Sequence, residues 1–433
     1  MPEPWLALTK KSFVKGLDDI ESVVLILTAR CNLACSYCYQ GMRKAGEMEW
    51  GNVCASLDLG LGSYQEEVSF VFLGGEPLLS FPLVRQAVEY AEARSRPGHR
   101  VNFRISSNGI LLQPEMTLFL EEHHIEVQLS FDGILPAQDL RASGTFPVLD
   151  RLLDNLRETR PGLFRDGLRI SMTLIPPAIP HLADSVSYFI GKGCEKIAIE
   201  PLITHHPLWG GDCARELECQ LSRIVGISLD HLRRSGKIPL LLFAPLQESS
   251  QVKRGQAMCG AVQGRNLTVD IDGQVYGCTL CVESVQEFRS PLVQRLRQAT
   301  KIGELNRDFP VAYQRYLESA HEEDLLNHRE KKYSSYGRCS DCGYYADCTI
   351  CPVSIAQSPG NMDTHRVPDF PCAFNRVAQE YRRLFLSKAR QARGAYLDQL
   401  MLQFQDMVRE SEQQQAAGAP AGTDAARNQS PVD

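Results

Sequence analysis

Three cysteines near the N-terminus, Cys31, Cys35 and Cys38, stand at Cys-x3-Cys-x2-Cys spacing in CNLACSYC. Three thiolates on one short loop can hold three irons of a [4Fe–4S] cluster and leave the fourth iron open to chelate a cofactor. A structural zinc site usually takes four ligands, and no fourth Cys or His lies in the loop. The loop follows an apolar, strand-like run, SVVLILT.

Three more segments of polar or glycine-rich chemistry follow strand-like runs. Gly74-Gly75-Glu76-Pro77 comes after VSFVF, where glycines would let a ligand approach the backbone closely. Ser106-Ser107-Asn108-Gly109 comes after VNFRI. Ser130-Phe131-Asp132-Gly133 comes after EVQL, with Arg141 shortly downstream. A second constellation lies toward the C-terminus: Cys259, Gly273, Cys278 and Cys281, then Cys339-x2-Cys342-x5-Cys348-x2-Cys351, then Cys372. Asp272-Gly273, between LTVDI and QVYGC, reads as a β-hairpin turn. By themselves Cys339/Cys342 and Cys348/Cys351 also resemble a four-cysteine zinc knuckle.

Taken together the motifs resemble those of the radical S-adenosylmethionine (SAM) enzymes with a C-terminal SPASM extension, of the type that matures peptides or proteins. Tyr37, just before Cys38, matches the aromatic residue common there. The resemblance implies that SAM chelates the open iron through its amino and carboxylate groups, and that its reductive cleavage gives a 5′-deoxyadenosyl radical. It places Gly74, Gly75, Glu76 and Pro77 at the SAM amino group, Ser106 and Asn108 at the ribose, and Ser130 and Arg141 near the carboxylate. It also implies two auxiliary [4Fe–4S] clusters, three in all. Cys259, Cys278 and Cys351 would bind the first; Cys339, Cys342, Cys348 and Cys372 the second. Two residues separate Cys348 from Cys351 where the family more often has three. Cys281 is extra: it supplies the fourth ligand of the first auxiliary cluster, or that iron stays open to substrate. No catalytic acid or base is assigned.

The elements that must position these residues follow from periodicity. Strand-like runs near 23–28, 68–73, 101–106, 126–130, 168–174 and 196–201 alternate with helical segments such as PLVRQAVEYAEAR, the pattern of parallel strands with crossover helices. Six such units match the partial (β/α)6 TIM barrel of the family, an α/β fold, with the motifs at strand carboxyl ends where barrels place their chemistry. The expected organisation is a lead-in over 1–20, the barrel over 21–202, a bridge over 203–258, the SPASM domain over 259–375, a helix over 376–410 and a disordered tail over 411–433. His205 and His206 fall just past the sixth strand, with functional and structural readings even. Tyr396, Leu400, Phe404 and Met407 fall on one helix face.

Composition narrows the function further. The chain of 433 residues carries 43% hydrophobic residues and a formal charge of −6, which speaks against a nucleic-acid partner. No apolar run approaches the length of a membrane span, and MPEPWLALTKKSF lacks a signal peptide's apolar region, so a cytoplasmic protein is expected. Of the fifteen cysteines, the eleven clustered at ligand spacing then read as metal ligands rather than disulfides. Cys54, Cys194, Cys213 and Cys219 lie outside the clusters and read as ordinary thiols.

The resemblance implies a precursor peptide or protein as substrate and a flavodoxin- or ferredoxin-type electron donor. With about twenty residues before the first strand, a separate leader-binding protein or the barrel surface would recognise the precursor. The expected reaction is a thioether or carbon–carbon crosslink within a ribosomal peptide, the auxiliary clusters accepting an electron or anchoring substrate. An anaerobic sulfatase-type formylglycine maturase is the first alternative. Such maturases tend to carry Asp after the second SPASM cysteine, and here Cys278 precedes Thr279. A non-catalytic iron–sulfur redox or binding protein is the second.

Overall fold

The computed structural model describes residues 17–38, 46–203, 207–244, 259–284 and 290–417. His205 and His206 lie outside them, as do the side chains of Leu400, Phe404 and Met407.

Six parallel strands form the first part of the sheet: β1 Ser22–Thr28, β2 Glu67–Gly74, β3 Arg100–Ser107, β4 Glu126–Ser130, β5 Leu168–Leu174 and β6 Ile197–Pro201. Helices α1 Trp50–Leu61, α2 Phe81–Arg94, α3 Pro114–Glu122, α4 Leu135–Arg141, α5 Phe146–Thr159 and α6 Leu182–Lys192 lie in the crossovers. Strands β2, β3 and β4 alternate between buried and partly exposed residues, whereas β1, β5 and β6 include consecutive buried positions. Val68, Phe70, Phe72, Phe103, Ile105, Val127, Leu129 and Ile170 are buried in the core, whereas Ser69, Arg104, Ser106, Glu126, Gln128, Ser130 and Arg169 between them are only partly buried. A parallel sheet packed on both faces reads as continuous apolar runs. Period-two alternation leaves this one with a single apolar face for the helices and a polar face turned inward.

Charge pairs cross that polar face. Arg104 bonds Glu126 at 2.8 Å and Arg169 bonds Glu200 at 3.2 Å. A cavity of about 500 Å³ opens at the amino ends of β2 to β4, lined by Glu67, Asn102, Arg104 and Glu126 among others. The barrel interior is thus polar and open rather than filled with branched apolar side chains.

Beyond β6, α7 Gly211–Ser235 leads back over the helices. The chain then returns to the sheet. β7 Asn266–Val269 pairs parallel with β1, Ser22 opposite Asn266 and Leu25 opposite Val269. β8 Gln274–Tyr276 turns back through Asp272-Gly273 as the expected hairpin, and β9 Lys301–Glu304 completes it. One nine-stranded sheet results, in the order β6-β5-β4-β3-β2-β1-β7-β8-β9. The buried Asp270 pins the hairpin by accepting from Glu283 N and Ser284 N, each at 3.0 Å.

Helices α8 Pro291–Thr300, α9 Phe309–Ala320 and α10 Pro352–Ala356 follow, with a two-residue ladder of β10 Tyr333–Ser334 and β11 Gly337–Arg338. The last helix, α11 Asp369–Ala417, is longer than the expected 376–410 at both ends, so 411–417 belong to it. Its start is fixed by Pro368, after which Asp369 stands in the first turn where the helix dipole favours an acid. It packs along α7, and Phe385 stacks on Phe243 at 4.4 Å. Among the described residues no helix is long and apolar enough to cross a membrane.

The closest approach in the sheet lies at the carboxyl end of β2. A Cβ on Gly74 would sit 2.3 Å from the Thr28 carbonyl oxygen, and one on Gly75 would sit 2.2 Å from that of Arg30. Gly75→Ala is therefore expected to destabilise the fold by about 2 kcal/mol or more, since backbone cannot yield as a side chain can. Gly226→Ala, in the interior of α7 with nothing within 4 Å, is expected to stabilise by about 0.5–1 kcal/mol. Denaturant melts of the two variants check both signs.

Candidate functional site

The cysteine loop is rooted by the same close approach. Gly75 N donates to Thr28 O at 2.7 Å and Glu76 N to Arg30 O at 2.8 Å, so the backbone after β2 holds the backbone after β1. The glycines of this segment serve the approach of the chain to itself. The carboxylate of Glu76 is buried and accepts from Leu78 N at 3.1 Å, Ser107 Oγ at 2.8 Å and Asn108 N at 2.8 Å. Burial raises its pKa while these donors pull it back. Glu76 therefore ties the end of β2 to the end of β3. Asn108 continues the chain of contacts, its Nδ2 donating to Asn32 Oδ1 at 2.8 Å and lying 3.9 Å from Cys31 Sγ. Ser106 and Ser130 lie on the polar inner face, partly buried.

Arg141 is held from the other side. Its guanidinium makes a buried bidentate pair with Asp132, Nη2 to Oδ1 at 2.7 Å and Nε to Oδ2 at 3.0 Å. Nη2 also reaches Thr173 Oγ1 at 3.2 Å, and Thr173 N donates to Asp132 at 2.8 Å. The hydroxyl of Tyr37 donates to the same carboxylate, and Arg141 lies over the Tyr37 ring at 5.4 Å. Ser36 N donates to Arg141 O at 3.2 Å. The cysteine loop is thus clamped by Asp132 and Arg141 through residues that alternate with its cysteines. Burial works against the Arg141 charge, but the Asp132 carboxylate overrides it and raises the pKa. Burial also raises the Cys35 thiol, opposed by Arg141 and reinforced by Cys38 and Cys31 nearby.

Asp132 is the functional residue the sequence reading passed over. An acid at a strand end with an arginine nine residues on was the available signal. Arg141, expected at the SAM carboxylate, has two of its nitrogens committed to Asp132.

The C-terminal cysteines gather into two sets. In the first, Cys278 is partly buried and its pKa rises well above the ordinary value, most through its bond to Cys281, then through burial. Burial, then Cys278, pushes Cys259 up to about 12. Burial, then Cys278 and Cys259, raises Cys351 as well. Cys281 is completely buried beside them.

In the second set Cys339, Cys342, Cys348 and Cys372 line one cleft with Tyr336, Arg376 and others. Burial pushes Cys339 up to about 11 and Cys348 to about 12, and neighbouring cysteines add to both. Arg376 Nη1 lies 3.7 Å from Cys342 Sγ. All fifteen cysteines are free thiols. Among the described residues no three His, Cys, Asp or Glu side chains form a group that could hold a metal ion; the thiols share their neighbourhoods more loosely. All-sulfur sets that resist ionisation alone fit a cationic iron–sulfur group, whose charge would offset the cost of burying several thiolates. Cys54, Cys194, Cys213 and Cys219 join neither set.

Comparison with known proteins agrees with this arrangement. Residues 25–176, which carry all four N-terminal motifs, match the family described as the radical SAM superfamily. The mycofactocin maturase MftC of Mycobacterium tuberculosis is 32% identical over 285 residues, 63% of this chain and 68% of that protein. The serine-type anaerobic sulfatase-maturating enzyme of Klebsiella aerogenes is 24% identical over 270 residues, 57% of this chain and 64% of that protein. The matches therefore span about two thirds of these relatives' length. The structure of anSMEcpe with bound AdoMet superposes with a TM-score of 0.66 at 16% identity, covering 86% of this chain and 99% of the other. Streptococcus suis SuiB bound to its precursor peptide SuiA gives 0.54 at 16% identity, covering 85% and 79%. Both show the fold. The chain belongs to the radical SAM superfamily of enzymes, and membership implies a [4Fe–4S] cluster and SAM.

Replacing Asp132 with Ala would strand the Arg141 charge inside the protein. The expected loss is about 3–5 kcal/mol of unfolding free energy, with partial recovery in the Asp132→Leu, Arg141→Met double variant. A single-variant loss below about 1 kcal/mol in urea unfolding would show that the pair is solvated.

Proposed function

We propose that this enzyme is a peptide maturase that abstracts hydrogen from a ribosomal precursor peptide and forms a thioether or carbon–carbon crosslink within it. The observation that carries the reading is the presence of two partly buried all-cysteine sets in addition to the loop of Cys31, Cys35 and Cys38, with the hairpin that bears Cys278 hydrogen-bonded through β7 onto β1. When bound, the loop's cluster and SAM would supply the 5′-deoxyadenosyl radical, and the auxiliary groups would accept an electron or anchor the peptide.

The chain's own residues do the positioning. The loop is fixed between Gly75–Glu76 on one side and Asp132–Arg141 on the other, which leaves it little freedom to move when a ligand binds. The polar inner face gives a peptide hydrogen-bonding groups in place of a packed core. A cleft of about 250 Å³ past the carboxyl end of β6, lined by Ile203, Trp209, Arg366 and Phe370 among others, supports entry of a chain-like substrate. Similarity to MftC and to SuiB, which was solved with its precursor peptide, supports a peptide substrate.

The sulfatase-type alternative has the similarity to the Klebsiella enzyme behind it. Against it stands Thr279, whose hydroxyl is paired with Thr268 Oγ1 at 2.9 Å where a carboxylate base would be needed. Three clusters, the crosslink, a flavodoxin- or ferredoxin-type donor and a separate leader-binding partner are all parts of this proposal.

Cys35→Ala is expected to abolish formation of 5′-deoxyadenosine from SAM. Cys342→Ala is expected to keep SAM cleavage and lose crosslinked peptide, read by mass spectrometry. Unchanged 5′-deoxyadenosine in the first variant would overturn the radical reaction. A full yield of product in the second would remove the auxiliary set from it.

A further inference from the structure

The second cysteine cleft opens beside the start of α11, and the helix carries an unusual charge away from it. Between 376 and 393 stand six cations, Arg376, Arg382, Arg383, Lys388, Arg390 and Arg393, against the single carboxylate of Glu380. The chain as a whole is acidic, at −6, so this is a local reversal of sign.

The helix divides cleanly. Ala378, Arg382, Phe385 and Ala392 form the buried ridge, and Arg382 spends its charge on Ala244 O at 2.8 Å. A sector flanking this ridge, about a third of the circumference by helical periodicity, carries Arg376, Arg383, Leu386, Arg390, Arg393 and Leu397. Apart from the partly buried Arg376, these side chains are exposed.

At the cleft end, Arg376 and Arg383 lie against Tyr344 at 6.0 and 4.6 Å, and Arg376 reaches Cys342. Arg383 is already paired with Asp347 at 3.3 Å, but further along Arg390 and Arg393 make no ion pair with any described residue. Their charge is available to something outside. From Arg376 to Arg393 the strip runs about 26 Å at 1.5 Å per residue, close to the diameter of a small domain.

We propose that this strip and the mouth of the Cys339/Cys342/Cys348/Cys372 cleft form the docking surface for a small, acidic, one-electron carrier protein. The inference rests on the iron–sulfur reading of those cysteines. Two physical arguments select this occupant. Electron transfer falls off steeply with distance, so a carrier serving this group must seat at the cleft mouth, and the strip begins there. Electron-transfer encounters are also small, and charge complementarity speeds them more than it tightens them. A row of arginines interrupted by two leucines suits such an encounter. A lipid surface would instead need a broad apolar face, and the apolar ridge of this helix is already packed inside.

The test uses the reconstituted full-length protein and an acidic bacterial flavodoxin as probe, with binding followed by fluorescence anisotropy. Binding is expected at low salt and should weaken about tenfold or more near 0.3 M salt. Arg390→Glu, Arg393→Glu should weaken it about tenfold or more. Arg165→Glu, an exposed reversal at the loop preceding β5, should leave it unchanged.

SAM cleavage driven by dithionite, which needs no docking, is measured in parallel and should be equal in the double variant and the parent. No flavodoxin binding, binding indifferent to the double reversal, or a reversal that abolishes binding to anionic vesicles or precursor peptide while sparing flavodoxin would each overturn the proposal. A parent that fails to cleave SAM with dithionite would overturn the proposed function while leaving the docking result standing on its own.

Discussion

Everything at the candidate site hangs on a place where two backbones touch with no side chain between them. Gly74 and Gly75 press against the carbonyls of Thr28 and Arg30, which accept hydrogen bonds from Gly75 N and Glu76 N respectively. That contact fixes where the chain leaves β1, and so where Cys31, Cys35 and Cys38 stand. Glu76 then converts a contact between two strand ends into a contact among three, because its buried carboxylate takes donors from Ser107 and Asn108. Asp132 and Arg141 close the arrangement from β4. A loop that must hold three thiolates near one another is thereby braced by groups that need not touch a ligand themselves.

The second constraint is the continuity of the sheet. By pairing β7 with β1, the chain attaches its C-terminal cysteines to the strand that bears the N-terminal ones. Relative placement of the two regions is set by ladder hydrogen bonds rather than by a flexible tether. α7 and α11 reinforce this from the helical side. Under the proposed function, such fixed separation would suit the movement of an electron from the substrate site to the C-terminal set.

Much of this was legible in the sequence, for identifiable reasons. Apolar strand-like runs alternating with helical segments marked all six barrel strands, because each strand had to bury a face against the crossover helices. The cysteine spacings marked which cysteines gather into sets, and Asp272-Gly273 marked its hairpin. What stayed hidden has equally physical causes. Pairing of Ser22–Leu25 with Asn266–Val269 joins segments some 240 residues apart, and parallel registers leave no local trace. Asp132 stood in a quoted motif but was given no role, because that role depends on Tyr37, Arg141 and Thr173 meeting in space. Glycines at 74 and 75 signalled a close approach, but not which partner approaches. The start of α11 at Asp369 was missed because Phe370, Pro371 and Cys372 read as a cysteine motif before they read as a first turn.

The central claim is that the cysteines hold three iron–sulfur clusters and not one cluster with structural zinc. Iron, sulfide and zinc per chain after anaerobic purification and reconstitution test it most directly. The account predicts about 12 irons with matching sulfide and little zinc. About 4 irons with one or two zincs would contradict it, making the C-terminal sets structural and leaving a single-cluster enzyme.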